Sequence, residues 1–264
     1  MQDDEFDLFD EQNGDAMAEQ EWKLFRDIPG VELEIQLDAA KIWGSSWNLA
    51  NFLAKRPHLI GGANVVELGA GLGLPAIVSA KLGAKHVWGT DADSHAVEAL
   101  ERVIERNSLS QNAKALKLDW RNDEQRRSLS SVPIVFAADV NYETKSVRPL
   151  LYTVDDLLAP GGTLYLASRE DRFGLTEFLS HLQRASFVRE ELELDYRVRE
   201  EISPQGSCSV LTEEAERKIG LGLVLTRVVY FGADGAEYDG PPSDVDSPHH
   251  KLWIFSRPKL YHEK

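Results

Sequence analysis

The clearest chemical pattern in the chain is Val65-Val66-Glu67-Leu68-Gly69-Ala70-Gly71-Leu72-Gly73-Leu74-Pro75. A short apolar run leads into a glycine turn and then into a helix-like segment. Gly69 and Gly71 permit backbone conformations closed to other residues and let a ligand approach the main chain. In an open α/β sheet this first turn lies at the carboxyl ends of the strands, where ligands bind. Dinucleotide sites use G-x-G-x-x-G and rest a pyrophosphate on the helix N-terminus. Here the spacing is G-x-G-x-G, and Glu67 stands two residues before the first glycine. A carboxylate there is awkward for a phosphate. It suits a ligand with positive charge, such as the sulfonium and ammonium groups of S-adenosylmethionine. A glycine turn serving packing alone is the competing reading.

Two further acids follow strand-like runs. Asp91, in Val87-Trp88-Gly89-Thr90-Asp91-Ala92-Asp93, is placed to accept both ribose hydroxyls of a nucleoside. A helix-terminal acid favoured by the macrodipole is the alternative, and it fits Asp93 better. Leu118-Asp119-Trp120 offers an acid and an aromatic that could bracket an adenine. A packed Trp120 beside a solvated Asp119 is the simpler alternative.

The elements that must hold these residues alternate. Strand-like runs cover Asn64 to Leu68, Val87 to Thr90, Ala115 to Leu118, Ile134 to Ala138 and Thr163 to Ala167. Helix-like segments cover Leu72 to Leu82, Ser94 to Asn107 with Ser94 as cap, Glu124 to Leu129 and Lys145 to Leu158. The last is closed by Pro160-Gly161-Gly162. Such alternation means βαβ units, a parallel sheet and right-handed crossovers. Upstream, Val31, Leu33, Ile35 and Leu37 alternate with polar residues as in a half-buried strand, and Trp43 to Leu53 has helical spacing ending at Arg56-Pro57. Downstream, Phe173 to Ala185 reads as a helix. Phe187 to Val198, Leu221 to Phe231 and Lys251 to Phe255 read as strands, added antiparallel at the sheet edge. The expected organisation is one domain over 22–264, with an insertion at about 202–248 and an acidic leader at 1–21.

That leader carries nine of the 44 acidic residues and no Lys or Arg. Such a segment is expected to be disordered and solvated, or to dock a basic partner through Phe6, Leu8 and Phe9. The net charge of −15 argues against capture of nucleic acid, which needs a basic face. No run approaches the ~18 apolar residues of a membrane span, and the acidic N-terminus does not read as a secretory signal. Cytosol or nucleus is the expected compartment. The single Cys208 excludes an internal disulfide framework, and no H-x-x-x-H pair suggests a metal. His249-His250 is read as solvated loop. No N-P-P-Y or D-P-P-Y sequence is present, which counts against amino methylation of nucleobases or of glutamine.

With these motifs in place, the chain resembles the class I, seven-β-strand S-adenosylmethionine-dependent methyltransferases. More narrowly, it is similar to the methyltransferase-like 21 group, also called family 16. Three matches carry the resemblance: Trp43-Gly44-Ser45-Ser46 before a helix, Glu67 to Pro75 as the cofactor loop, and Asp139-Val140-Asn141-Tyr142 as the D-x-x-Y motif after the fourth strand. It covers roughly Ile42 to Ala185, with a weaker match at Lys251 to Pro258. It implies a Rossmann-like, doubly wound α/β fold: a seven-stranded sheet, mostly parallel, with an antiparallel C-terminal edge. It implies S-adenosylmethionine as cofactor, with Gly69, Gly71 and Glu67 at the methionine part, Asp91 at the ribose, Trp120 at the adenine, and Trp43 and Ala138 lining the pocket. Asp139 and Tyr142 would face the acceptor nitrogen. Such enzymes mostly methylate lysine in specific non-histone proteins, so a protein substrate and action as a monomer are expected. Histidine and arginine acceptors occur too. A small-molecule methyltransferase of this fold and a non-catalytic cofactor-binding module remain the alternatives.

Overall fold

The computed structural model describes residues 22–36, 44–140, 144–172, 174–183, 223–231, 236–238 and 250–258. The acidic leader, the strand expected at Phe187 to Val198, Trp43, Tyr142, Cys208 and His249 lie outside the described residues.

The chain opens with a hairpin. β1 (Trp22–Ile28) and β2 (Val31–Gln36) pair antiparallel as a separate two-stranded sheet. Gly30, at φ 73°, supplies the left-handed turn between them. The alternation in β2 puts Val31, Leu33 and Ile35 into the core. Asn107, at the end of α3, ties the hairpin down: its amide donates to the Glu34 carbonyl at 2.7 Å and accepts from the Glu34 N–H at 3.0 Å.

α1 (Gly44–Ala54) precedes the main sheet. β3 (Asn64–Leu68), α2 (Leu74–Lys81), β4 (His86–Asp91), α3 (Ser94–Arg106), β5 (Ala113–Lys117), α4 (Asp123–Ser128), β6 (Val132–Ala138), α5 (Val147–Leu157), β7 (Leu158–Arg169) and α6 (Leu175–Gln183) then alternate. β8 (Val224–Phe231), β9 (Glu237–Tyr238) and β10 (His250–Ser256) complete the described elements. The sheet order is β5-β4-β3-β6-β7-β10-β8-β9. β3 to β7 are parallel, whereas β10 runs antiparallel to both its neighbours, β7 and β8. The seven long strands match the expected sheet, and the two-residue β9 adds an eighth. The strand order reverses between β3 and β6, which stay parallel, so ligands belong at the carboxyl ends of those two strands.

Helices cover both faces. The hairpin, α1, α2 and α3 share one buried apolar cluster, and α5 and α6 share the other. Both clusters reach the sheet through alternate residues, Val65 on one face and Val66 on the other.

Three local expectations change. Ser94 does not cap α3; the Asp93 carboxylate does, accepting from the His95 N–H at 2.9 Å. Pro160-Gly161-Gly162 does not separate helix from strand but bulges inside β7, where Gly161 N–H donates to the Arg257 carbonyl and Arg257 N–H returns to Gly162. Within the stretch assigned to an insertion, Val224–Phe231 is a sheet strand as its β-prone run suggests, but Glu237–Tyr238 adds a further strand where a Gly/Pro/Asp-rich loop is expected.

Candidate active site

The glycine turn joins β3 to α2 with Gly69, Gly71 and Gly73 at φ 61°, 53° and 66°. The three do different work. A Cβ on Gly71 would meet nothing within 4 Å, so the space over that residue is open. A Cβ on Gly73 would lie 2.6 Å from Leu100 Cδ1, so its missing side chain lets α3 pack against the turn. A Cβ on Gly69 would come within 3.0 Å of Val140 Cγ1 and 3.3 Å of Trp120 Cζ2. Trp120 and the segment after β6 therefore close on the turn from the β5 and β6 sides.

Asp91 is locked to this turn. One carboxylate oxygen accepts from Gly71 N–H at 2.9 Å, the other from Asp93 N–H at 3.0 Å. Each oxygen keeps lone-pair capacity for another donor. Glu67 faces elsewhere. It is 1% exposed, and its carboxylate accepts from Ala76 N–H in the first turn of α2 at 2.8 Å. The contact it makes is beneath the turn, with backbone that the turn must hold in place. Burial pushes its carboxyl up to about 8; the Ala76 N–H works against the shift and the nearby Asp91 charge adds to it.

Trp120 is half-buried against the α5/α6 cluster, its ring beside Gly69. Asp119 is not open to a ligand in the way its spacing suggests. Arg121 forks onto both of its carboxylate oxygens, at 3.0 and 2.9 Å, and holds its carboxyl below the usual range. Ala138 ends β6 and is buried.

Asp139 follows at once, with φ 56°. Such a conformation is unusual for a non-glycine residue, and Asp is among the few that tolerate it. Its N–H donates to the Ala167 carbonyl of β7 at 2.9 Å, which fixes the backbone. Arg172 Nε donates to Oδ1 at 3.1 Å, and the Asp139 side chain is only 5% exposed. Among the described residues Oδ2 is buried with no hydrogen-bond partner. A buried carboxylate oxygen left without a donor costs free energy on the order of 1–3 kcal/mol or more.

His250 stands at the same end of the sheet. It opens β10, opposite Arg169 of β7, and is not solvated loop as its sequence context suggests. Its Nδ1 is hydrogen-bonded to Ser45 Oγ of α1 at 2.8 Å. Neither Arg172 nor His250 was singled out from sequence as a site residue. The charge run Arg169-Glu170-Asp171-Arg172, directly after an apolar strand, is the one signal that could have flagged the former. Asp91, Gly69, Gly71, Trp120, Ala138 and Asp139 thus gather on one edge, while Glu67 lies under it. Trp43 and Tyr142 belong to segments outside the described residues. Among the described residues no group of three or more His, Cys, Asp or Glu is placed to hold a metal ion. No helix there is long and apolar enough to cross a membrane.

Comparison with known proteins agrees with this geometry. A family model described as lysine methyltransferase matches residues 32–185. The protein-lysine N-methyltransferase EFM3 of Chaetomium thermophilum is 28% identical over 159 residues, 56% of this chain and 47% of that protein. The protein N-lysine methyltransferase METTL21A of Danio rerio is 32% identical over 156 residues, 58% of this chain and 70% of that one. EEF1A lysine methyltransferase 3 of Mus musculus is 29% identical over 177 residues, covering 64% and 75%. The chain thus spans about half the length of the first of these relatives. A solved structure described as a SAM-dependent methyltransferase from Streptococcus mutans shares the fold, with a TM-score of 0.58 at 13% identity over 94% of this chain and 57% of that one. The chain belongs to the lysine methyltransferase family.

Proposed function

We propose that this chain transfers a methyl group from S-adenosylmethionine to the side-chain nitrogen of a lysine in a specific non-histone protein. The observation that carries the reading is the orphaned Oδ2 of Asp139, buried beside the glycine turn and lacking a donor among the described residues. Family membership and the names of the relatives support the same acceptor.

The residues present fit the cofactor. The open face over Gly71 admits a ligand against the main chain, and Asp91, already oriented by two backbone N–H groups, can accept the ribose hydroxyls. Trp120 offers an aromatic face at the rim of the turn for the adenine, and buried Ala138 the floor. Trp43 and Tyr142 are assigned to the pocket and to the acceptor on the family resemblance. Glu67 acts from below by holding α2 to the turn. When bound, S-adenosylmethionine supplies a methyl group on a cationic sulfur.

The chain's own contribution is alignment and exclusion of water. A lysine has a reference pKa of about 10.4, so only about one in a thousand is neutral near pH 7.4. A buried approach and a neighbouring cation lower that value. Asp139 Oδ2 then accepts an N–H of the amine, which fixes the direction of the nitrogen lone pair. Arg172 keeps the carboxylate from turning away.

The test is incubation of the protein with methyl-labelled S-adenosylmethionine and a cell lysate, beside the Asp139→Asn variant. The expected result is a discrete protein band that survives nuclease, yields methyl-lysine on hydrolysis and is lost in the variant. Full labelling by the variant, or label confined to small molecules or nucleic acid, would overturn the reading.

A further inference from the structure

The Gly44-Ser45 pair, noted in sequence as part of a motif, finds its physical reason at the far end of the chain. The His250 ring lies against Gly44, where a Cβ would sit 3.0 Å from both Cε1 and Nε2. The next residue, Ser45, is fully buried and hydrogen-bonded to Nδ1 of the same ring. A glycine that makes room and a serine that makes a bond form a seat for one imidazole. That seat joins α1 to β10, and β10 to the acceptor end. Asp139 is anchored at Ala167 of β7 and His250 pairs with Arg169 of the same strand, so the two flank the carboxyl end of β7.

We propose that His250 is a positioning residue of the transfer site: seated on Gly44 and Ser45, it fixes α1 against the Asp139 end and keeps that end receptive to cations. The inference rests on the methyltransferase reading above. The groups facing His250 are Asp139 after β6, Arg169 at the end of β7, and Asp171 and Arg172 in the segment beyond. Arg172 is paired with Asp139 and Arg169 with Asp171. Around a neutral imidazole these charges balance. An imidazolium adds an uncompensated positive charge where a sulfonium and a substrate ammonium are to meet. Burial, the largest influence, lowers the His250 pKa; the two carboxylates work against this and the two guanidiniums with it. The ring is therefore neutral near pH 7 and gains its proton only on acidification below the ordinary histidine range.

The experiment compares binding of S-adenosylmethionine and S-adenosylhomocysteine, which differ by the cationic sulfur, between about pH 5.5 and 7.5. Wild-type protein should lose about tenfold in affinity for the former at the acidic end, the scale of one added unit charge near the site at an effective dielectric of about 20. The latter should change less than about twofold. By linkage, the His250 imidazole signal followed by NMR should titrate at lower pH with S-adenosylmethionine bound than with the homocysteine form. His250→Asn keeps a polar partner for Ser45 without a proton to gain, and should abolish the acidic loss. Gly44→Ala, which displaces the ring, should weaken S-adenosylmethionine binding even near neutrality. Retained S-adenosylhomocysteine affinity in both variants shows that they fold. An acidic loss that persists in His250→Asn, or that both ligands share, overturns the inference alone. Failure of wild-type protein to bind either ligand at any pH overturns the methyltransferase reading and the inference with it.

Discussion

The turn after β3 and the far ends of β6, β7 and β10 lie side by side, yet they are finished to different degrees. In the turn the polar groups are paired within the protein. Ala76 N–H meets Glu67, the N–H groups of Gly71 and Asp93 meet Asp91, Ala70 N–H meets the Thr90 carbonyl, and Thr90 Oγ1 returns to the Glu67 carbonyl. At the other end Arg172 takes one oxygen of Asp139, and among the described residues the second has no donor. The first region is a preorganised cradle, complete before anything binds. In the proposed function the second is completed by the substrate amine. Substitutions of the cradle's internally paired or packed groups should therefore register as stability, and substitutions at the acceptor end as activity.

Glu67 gives the largest effect and the sharpest check of the cradle. Free in the unfolded chain its carboxyl titrates near 4.5; folded, it titrates near 8. Between these values the folded state holds more protons, so stability falls as pH rises. The contribution is fully present below about 4.5 and is lost as pH passes through about 8. Glu67→Gln lacks this dependence. The stability of wild type relative to that variant should fall by about 3 kcal/mol between about pH 5 and pH 7.5, measured by urea unfolding at each pH. Parallel pH profiles for the two proteins would show that Glu67 titrates normally and that the cradle is not sealed around it.

Gly73 comes next. Gly73→Ala must place a Cβ at φ 66° and 2.6 Å from Leu100 Cδ1, and should cost about 2 kcal/mol. Leu100→Ala should recover part of that cost in the double variant, because the two side chains compete for one space. Gly71→Ala carries a similar φ but meets nothing within 4 Å. It should cost about 1 kcal/mol and act mainly on cofactor affinity. Equal destabilisation by the two alanines, in thermal or urea unfolding, would erase the distinction between a packing glycine and a ligand-facing one.

The same contrast explains how far the sequence could be read. The cradle is local: Glu67, the glycines and Asp91 fall in one strand-turn-helix-strand unit, and a short apolar run before the glycine turn marked β3 at Asn64–Leu68 without error. Element edges were less legible. Asp93 and Ser94 are both good caps, and only the backbone decides between them. The acceptor end is non-local. Asp139 could be found by its motif, but Arg172 approaches it from the segment after the next strand, and Ser45 meets His250 across 205 residues. An antiparallel strand entering from the C-terminal end sets that contact, and neither periodicity nor spacing encodes its register.

The smallest expected effect is the stability of Asp139→Asn, and it bears on the comparison most directly. If the acceptor end is left unfinished for function, removing its charge should not harm the fold. Asn tolerates a left-handed backbone at least as well as Asp, so φ 56° carries no new strain. Arg172 keeps an oxygen acceptor, and its side chain is 26% exposed, so water can meet what the weaker bond leaves. The buried, unpartnered anionic oxygen is relieved of its desolvation. These terms sum to a change within about 1 kcal/mol, with the sign toward stabilisation. Urea unfolding of the two proteins at neutral pH measures it. A loss beyond about 2 kcal/mol would mark the Asp139–Arg172 pair as a structural ion pair, of the kind whose breaking strands a buried charge. The acceptor end would then be as finished as the cradle, and the orphaned oxygen would no longer point to a substrate.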